Sequence, residues 1–291
     1  MLLICASASA QETDRKLEKK LTDAITGFMG DVGIYVKDLK SGKTVAINAD
    51  TIFPTASIVK VPILLGITNK IMNGQYTYDS TVIYDTSYLY RGEDIVGEFK
   101  DSGRIRIKKL IMLMLTTSDN TASLWLQALS GTGTRINQIL DSLGYKHTRV
   151  NSRTPGREAN RSQYGWGQTT PREIANIMES IYRNAIFTPY YCDVMLRSLG
   201  RNYWDENEAI SVIPPYIEVF SKNGCINQTR NEIMLVNAPN RPYILSIFTK
   251  NNKDQSWQHG NEAWALTRKI SSLLWDYFEP KDNWVKPAKD R

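Results

Sequence analysis

Apolar residues fall at helical spacing in the first stretch with a clear pattern. Leu17, Leu21, Ile25 and Phe28 predict a helix over residues 12–28. The segment DVGIYVKDLKSGKTVAINAD at 31–50 reads as two strands joined by a turn at Ser41-Gly42-Lys43. A second helix is predicted from about Ser57 through IVKVPILLGITNKIM to Gly74, apolar enough to be central to the core. Helical patterns recur around LIMLML, ASLWLQAL, INQILDSLG and EIANIMESIY. The last third returns to strands in IEVFSKN, NEIMLVNA and PYILSIFT, and NEAWALTRKISSLLWDYF predicts a closing helix. This order predicts an α+β fold. One antiparallel sheet is built from both chain ends and packed against helices, with a mainly helical middle region.

Composition narrows the class. The chain has 291 residues, 42% hydrophobic and 23% charged, as in a soluble globular protein with a sizeable core. Its net charge of +6 is scattered along the chain. With no zinc-finger spacing, RNP-like strand or basic helix, nucleic acid is disfavoured. The opening MLLICASASA, ending in Ala8-Ser9-Ala10 before a charged run, resembles the back half of a secretory signal cleaved before Gln11. Secretion to the periplasm is therefore expected. No later run approaches the 18 apolar residues of a membrane span. After cleavage only Cys192 and Cys225 would remain, and their spacing does not decide whether they pair. No internal repeat or long linker divides the chain. Residues 1–10 are read as the signal remnant and 11–291 as one domain, its α/β part from 11–60 and 215–291 and its helical part from 61–214. A monomer is expected.

The chemistry must come from few residue types. His147 and His259 are the two histidines, and neither stands in a catalytic setting. HExxH and paired CxxC are absent, so no metal is implied, and nothing implies a cofactor. Proton transfer then falls to Lys, Ser or a carboxylate. Ser57-Ile58-Val59-Lys60 sets a hydroxyl and an amine three residues apart, on one face of a helix. Burial would lower the lysine pKa and let it take the serine proton. A chain of this length shows about one S-x-x-K by chance, and a helix-start serine with a surface lysine is the competing reading. The apolar helix around Lys60 argues against a surface lysine. Ser118-Asp119-Asn120 is rarer, on the order of 0.05 by chance, although all three residue types cap helices. Lys222-Asn223-Gly224 ends a strand and alone reads as a hairpin turn.

Together, FPTASIVKVP, TTSDN and SKNG resemble class A β-lactamases and related penicillin-binding proteins. The separations, 61 residues from Ser57 to Ser118 and 104 from Ser118 to Lys222, resemble those of that family. The resemblance spans roughly residues 15–280. It implies Ser57 as the acylated nucleophile, Lys60 as its base or base partner and Ser118 as a proton relay. It implies Asn120 and Lys222 as ligands for the substrate amide and carboxylate, with Gly224 giving close backbone access. The backbone N–H groups of Ser57 and Cys225 would form the oxyanion hole. The implied substrate is a small β-lactam or a cell-wall peptide.

The departures are specific. Counting back from Thr170-Pro171 without a gap puts Thr154 in the slot of the family's deacylating glutamate and Glu158 in that of its asparagine. On a helical turn the two would share a face, so Glu158 is a candidate to activate the deacylating water; the alternative is a solvent-facing acid. Asn223 replaces the family's Thr or Ser. Arg230 is a candidate guanidinium near the carboxylate site, and Tyr88 or Tyr90 a candidate entrance aromatic. Three functions follow: a β-lactamase, a D,D-peptidase-like or other amide or ester hydrolase, and a β-lactam-binding protein that does not turn over.

Overall fold

The computed structural model describes residues 12–92 and 94–285, so the secretory segment expected at 1–10 lies outside the described residues. The strands are β1 (Asp31–Asp38), β2 (Thr44–Ile47), β3 (Phe53–Pro54), β4 (Thr81–Ile83), β5 (Arg104–Arg106), β6 (Arg149–Val150), β7 (Gly167–Thr169), β8 (Val219–Ile226), β9 (Thr229–Val236) and β10 (Tyr243–Lys250). The helices are α1 (Arg15–Ile25), α2 (Lys60–Met72), α3 (Ile107–Thr116), α4 (Asn120–Leu129), α5 (Thr132–Ser142), α6 (Glu158–Tyr164), α7 (Pro171–Tyr182), α8 (Pro189–Leu199) and α9 (Glu262–Phe278).

The main sheet has the order β2-β1-β10-β9-β8, and its neighbours are antiparallel. It is the expected sheet built from both chain ends. Strand alternation explains how it sits between two layers. On one face Ile34, Met234, Leu245 and Ile247 pack with Leu17 and Leu21 of α1 and Leu274 and Phe278 of α9. On the other, Tyr35, Ile233, Leu235 and Phe248 pack toward the helical region. Burial on both faces is why β10 and the second half of β9, IMLV, read as apolar runs, while Thr229, Arg230, Asn231 and Glu232 at the start of β9 are polar yet buried.

Within the helical region, α2 is buried from Lys60 through Thr68, as its apolar run predicts. It begins later than expected. Ala56–Val59 form a 3₁₀ turn, and α2 proper opens at Lys60. A small sheet, β3-β7-β6, steadies the approach to that turn: Phe53 pairs with Thr169 and Pro54 with Gln168. Asn231 of β9 adds a tie, its side-chain amide donating to the Pro54 carbonyl at 2.7 Å.

Candidate active site

The three motifs meet at the edge of the main sheet. Ser57 lies on the 3₁₀ turn, one residue after Ala56, whose φ of 45° is left-handed. Ser118, between α3 and α4, is also left-handed at φ 59°. Such backbone costs about 1–3 kcal/mol per non-glycine residue and persists only where surrounding contacts enforce it. Around Ser118 those contacts are visible. Asp119 caps α4, accepting from Ala122 N at 2.7 Å and Val96 N at 2.9 Å. Asp94 accepts from Asn120 N at 3.0 Å, Thr121 N at 2.8 Å and the Thr121 hydroxyl at 3.0 Å. Asp94 was not singled out by the motifs; its only mark in the sequence is an acid in a polar stretch upstream of Ser118.

Lys60 is fully buried, and its Nζ lies where the motifs converge. It is 3.1 Å from Ser57 Oγ, 2.9 Å from Ser118 Oγ and 2.8 Å from Asn120 Oδ1, and it donates to the Ser118 carbonyl. Burial, reinforced by the charge of Lys222, pushes its pKa well below the ordinary lysine value, against the smaller pull of Asp94 and Asp119. The amine beside Ser57 is thus biased toward its neutral, proton-accepting form.

β8 supplies the opposite wall as an edge strand. A Cβ on Gly224 would lie 2.4 Å from the Thr55 carbonyl oxygen and 3.0 Å from Ser57 N, so the strand can approach the Ser57 turn only as glycine. Lys222 is fully buried, and desolvation lowers its pKa to about 8. It donates to Asn223 Oδ1 at 2.8 Å and to the Asn223 carbonyl at 3.0 Å. The Asn223 amide then donates from Nδ2 to Glu208 Oε1 at 2.9 Å. Desolvation pushes the Cys225 thiol up to about 12, and Cys225 and Cys192 are both free thiols.

Ser57, Ser118, Asn120, Asn223 and Cys225 share one cleft of about 860 Å³, walled by Tyr203, Trp204, Trp257 and Trp264. The 203–204 strap is tied over the motif turn, with Tyr203 N donating to the Thr116 carbonyl at 3.0 Å and Trp204 Nε1 to the Thr117 carbonyl at 2.9 Å.

Two expected residues do not face this cleft. Glu158 is exposed at the start of α6, accepting from Gly156 N at 3.1 Å. It lines a separate surface depression with Thr154 and Arg161. The shared-face argument fails because the helix begins only at Glu158: the chain turns at Gly156, at φ 79°, between the two positions. Thr154 is buried, its hydroxyl donating to the Ser152 carbonyl at 2.9 Å and packing where a Cβ on Gly133 would otherwise sit. Arg230 is likewise removed. Its guanidinium stacks 4.3 Å from the Trp257 ring centroid and 4.5 Å from that of Trp264. It donates to the carbonyls of Ile226, Asn227, Thr229 and Ser256, so it braces the wall from behind. Tyr88 stacks on Trp125 and Tyr90 meets Trp166 edge-on, the packing alternative for both. Among the described residues no cluster of His, Cys, Asp or Glu could hold a metal.

Behind β8, Glu232 pairs in register with Asn223 and is fully buried. Its Oε2 accepts from Ala209 N at 2.6 Å, while Oε1 has no partner. Desolvation, then the charge of Glu208, raises its pKa to about 8. A raised carboxyl pKa means that the folded state holds the extra proton, so this contribution to stability is present at acid pH and is lost as pH rises through about 8. Glu232→Gln is therefore expected to raise Tm relative to wild type by a few degrees more at pH 9 than at pH 5. A difference that stays constant across that range in thermal melts would refute the assignment.

The β-lactamase enzyme family matches residues 16–278. The chain is 27% identical to β-lactamase 3 of Bacillus cereus over 246 residues, covering 83% of this chain and 74% of the relative. It is 23% identical to an imipenem-hydrolysing β-lactamase of Enterobacter cloacae, covering 92% of each. Similar structures include a PBP-A variant in acyl-enzyme complex with penicillin G, with a TM-score of 0.81, 22% identity and coverage of 93% of this chain and 98% of that one. A class A β-lactamase from Bacteroides cellulosilyticus superposes with a TM-score of 0.80 at 19% identity, covering 91% and 98%.

Proposed function

The chain belongs to the β-lactamase enzyme family, and we propose that Ser57 is its acylated nucleophile, opening the amide of a β-lactam. The observation that carries this reading is the buried Lys60 amine, 3.1 Å from Ser57 Oγ and 2.9 Å from Ser118 Oγ. In the proposed step neutral Lys60 takes the Ser57 proton as Oγ attacks the carbonyl carbon. The negative charge that develops on the carbonyl oxygen is held by the backbone N–H groups of Ser57 and Cys225. The C–N bond breaks as Ser118 hands its proton to the leaving nitrogen and is reprotonated from Lys60. The product is an ester on Ser57, with Lys60 neutral again. Asn120 holds the acyl side chain. Lys222, Asn223 and Gly224 set the geometry of the β8 wall.

A second reading, an acyl-enzyme that persists, is favoured by one observation: Glu158 and Thr154 lie off the cleft, so neither supplies a base for the hydrolytic water. Intact-mass measurement with penicillin G tests both. A mass gain mapped to the peptide carrying Ser57 is expected, decaying slowly. Fast decay with ring-opened product would restore efficient turnover, and the absence of any adduct, with cleavage of a D-Ala-D-Ala peptide, would point to the peptidase reading. Export to the periplasm after cleavage before Gln11, and a monomeric state, remain part of the proposal. No helix among the described residues is long and apolar enough to cross a membrane.

A further inference from the structure

Asn223 stands beside Lys222 in the wall where an acyl donor would present its carboxylate, and that wall is already occupied by a carboxylate of the chain itself. Lysine has only donors, so the Asn223 amide must turn Oδ1 toward Lys222, which leaves Nδ2 facing Glu208 at 2.9 Å. Glu208 lines the cleft yet is only 8% exposed. Its two oxygens accept from Asn223 Nδ2 and Asn207 N, and such donors favour the ionised form. Burial acts the other way, raising its pKa. The cations of this wall are engaged elsewhere. Lys222 is buried on Asn223, Arg230 is clamped between tryptophans, and Arg268 donates to the carbonyls of Asn207 and His259. The cleft lining carries Asp94, Asp205, Glu206 and Glu208, and among the described residues no lysine or arginine. The exposed aromatic ring of Trp204 stands in the same lining, a surface suited to a cation.

We propose that Glu208 is a specificity-determining residue that takes the place of a substrate carboxylate, so that the cleft selects acyl donors with no negative charge beside the reacting carbonyl and favours those bearing an ammonium group. This rests on acylation at Ser57 and names the substrate class for it. A second carboxylate brought against Glu208 meets a like charge in a half-enclosed wall, an arrangement that proteins use to reject wrong partners.

The test compares three β-lactams on the full-length protein: penicillin G, its neutral methyl ester and its 2-aminoethyl ester. The second-order rate of Ser57 acylation is read by quenched intact mass, each rate divided by that compound's rate with hydroxide. The methyl ester is expected to acylate faster than the acid by about 10-fold or more, and the aminoethyl ester faster still, because a like charge against Glu208 disfavours the acid. Glu208→Gln, which keeps an acceptor for Asn223, is expected to bring the ester-to-acid ratio close to one, and Glu208→Asp to keep the preference. An acid that acylates wild type as fast as its ester overturns the inference while leaving Ser57 as nucleophile, and needs no variant to fold. A ratio unchanged in folded Glu208→Gln overturns the assignment to this residue. No adduct with any of the three overturns the inference together with the acylation on which it rests.

Discussion

Replacing Ser57 with alanine is expected to abolish the penicillin adduct, with β-lactam ring opening in the acylation step slowed on the order of 10⁶-fold, the scale seen when a serine nucleophile is removed. The expectation is sharp because nothing nearby can substitute. Ser118 is the other hydroxyl at Lys60 Nζ, but it sits at a left-handed backbone position across the cleft from the turn that Gly224 approaches. An ester on Ser118 would form away from the Ser57 and Cys225 amides. The fold should not notice the change. Ser57 is half-buried and its Oγ contact runs to Lys60, which keeps Ser118 and Asn120 as partners. Circular dichroism and Tm should therefore match wild type. An adduct that survives in folded Ser57→Ala would refute the central assignment.

Lys60→Met is expected to slow acylation by about 10³-fold while Ser57 remains in place, within the range attributed to a positioned base. Methionine fills similar volume without a proton acceptor. The pH dependence separates a base from a spacer. Because burial and Lys222 hold the Lys60 pKa well below its ordinary value, the neutral amine is available at lower pH than a free lysine would allow. Wild-type acylation should rise with pH along a limb lying well below the usual lysine range, and then level off. In Lys60→Met that limb should vanish, leaving a slow rate without it. A variant that acylates at the wild-type rate would remove Lys60 from the chemistry; one that is slow but keeps the limb would reduce it to a positioning residue.

Much of this arrangement was legible in the chain because it rests on local pattern. β10 and the IMLV half of β9 declared themselves through apolar runs, and α2 through an apolar helix with a lysine that only a purpose could justify burying. Lys60 and Lys222 were placed by the elements that carry them, α2 and the edge strand β8. What stayed hidden depends on tertiary placement. β3, β6 and β7 are two or three residues long, too short for any period to register. Residue spacing puts positions 154 and 158 on one helical face, but Gly156 turns the chain before the helix starts. Arg230 has the composition of a ligand and the position of a brace, a distinction made by Trp257 and Trp264, 27 and 34 residues further on. Glu208 gains its meaning only from the Asn223 amide, on a strand 15 residues away.

The sheet also sets a schedule for the newborn chain. Asp31 of β1 pairs with Lys250 of β10, so the first strand to leave the ribosome has no neighbour on that side until 219 more residues have been made. At about 5–20 residues per second that wait is roughly 10–40 s. The wall of the cleft arrives nearly as late, because Gly224 reaches the Ser57 turn only once β8 has been made. Until then Ser57 and Lys60 exist without the surface that gives them direction. A nascent chain is thus a spectator to its own chemistry, chemically silent through most of its synthesis.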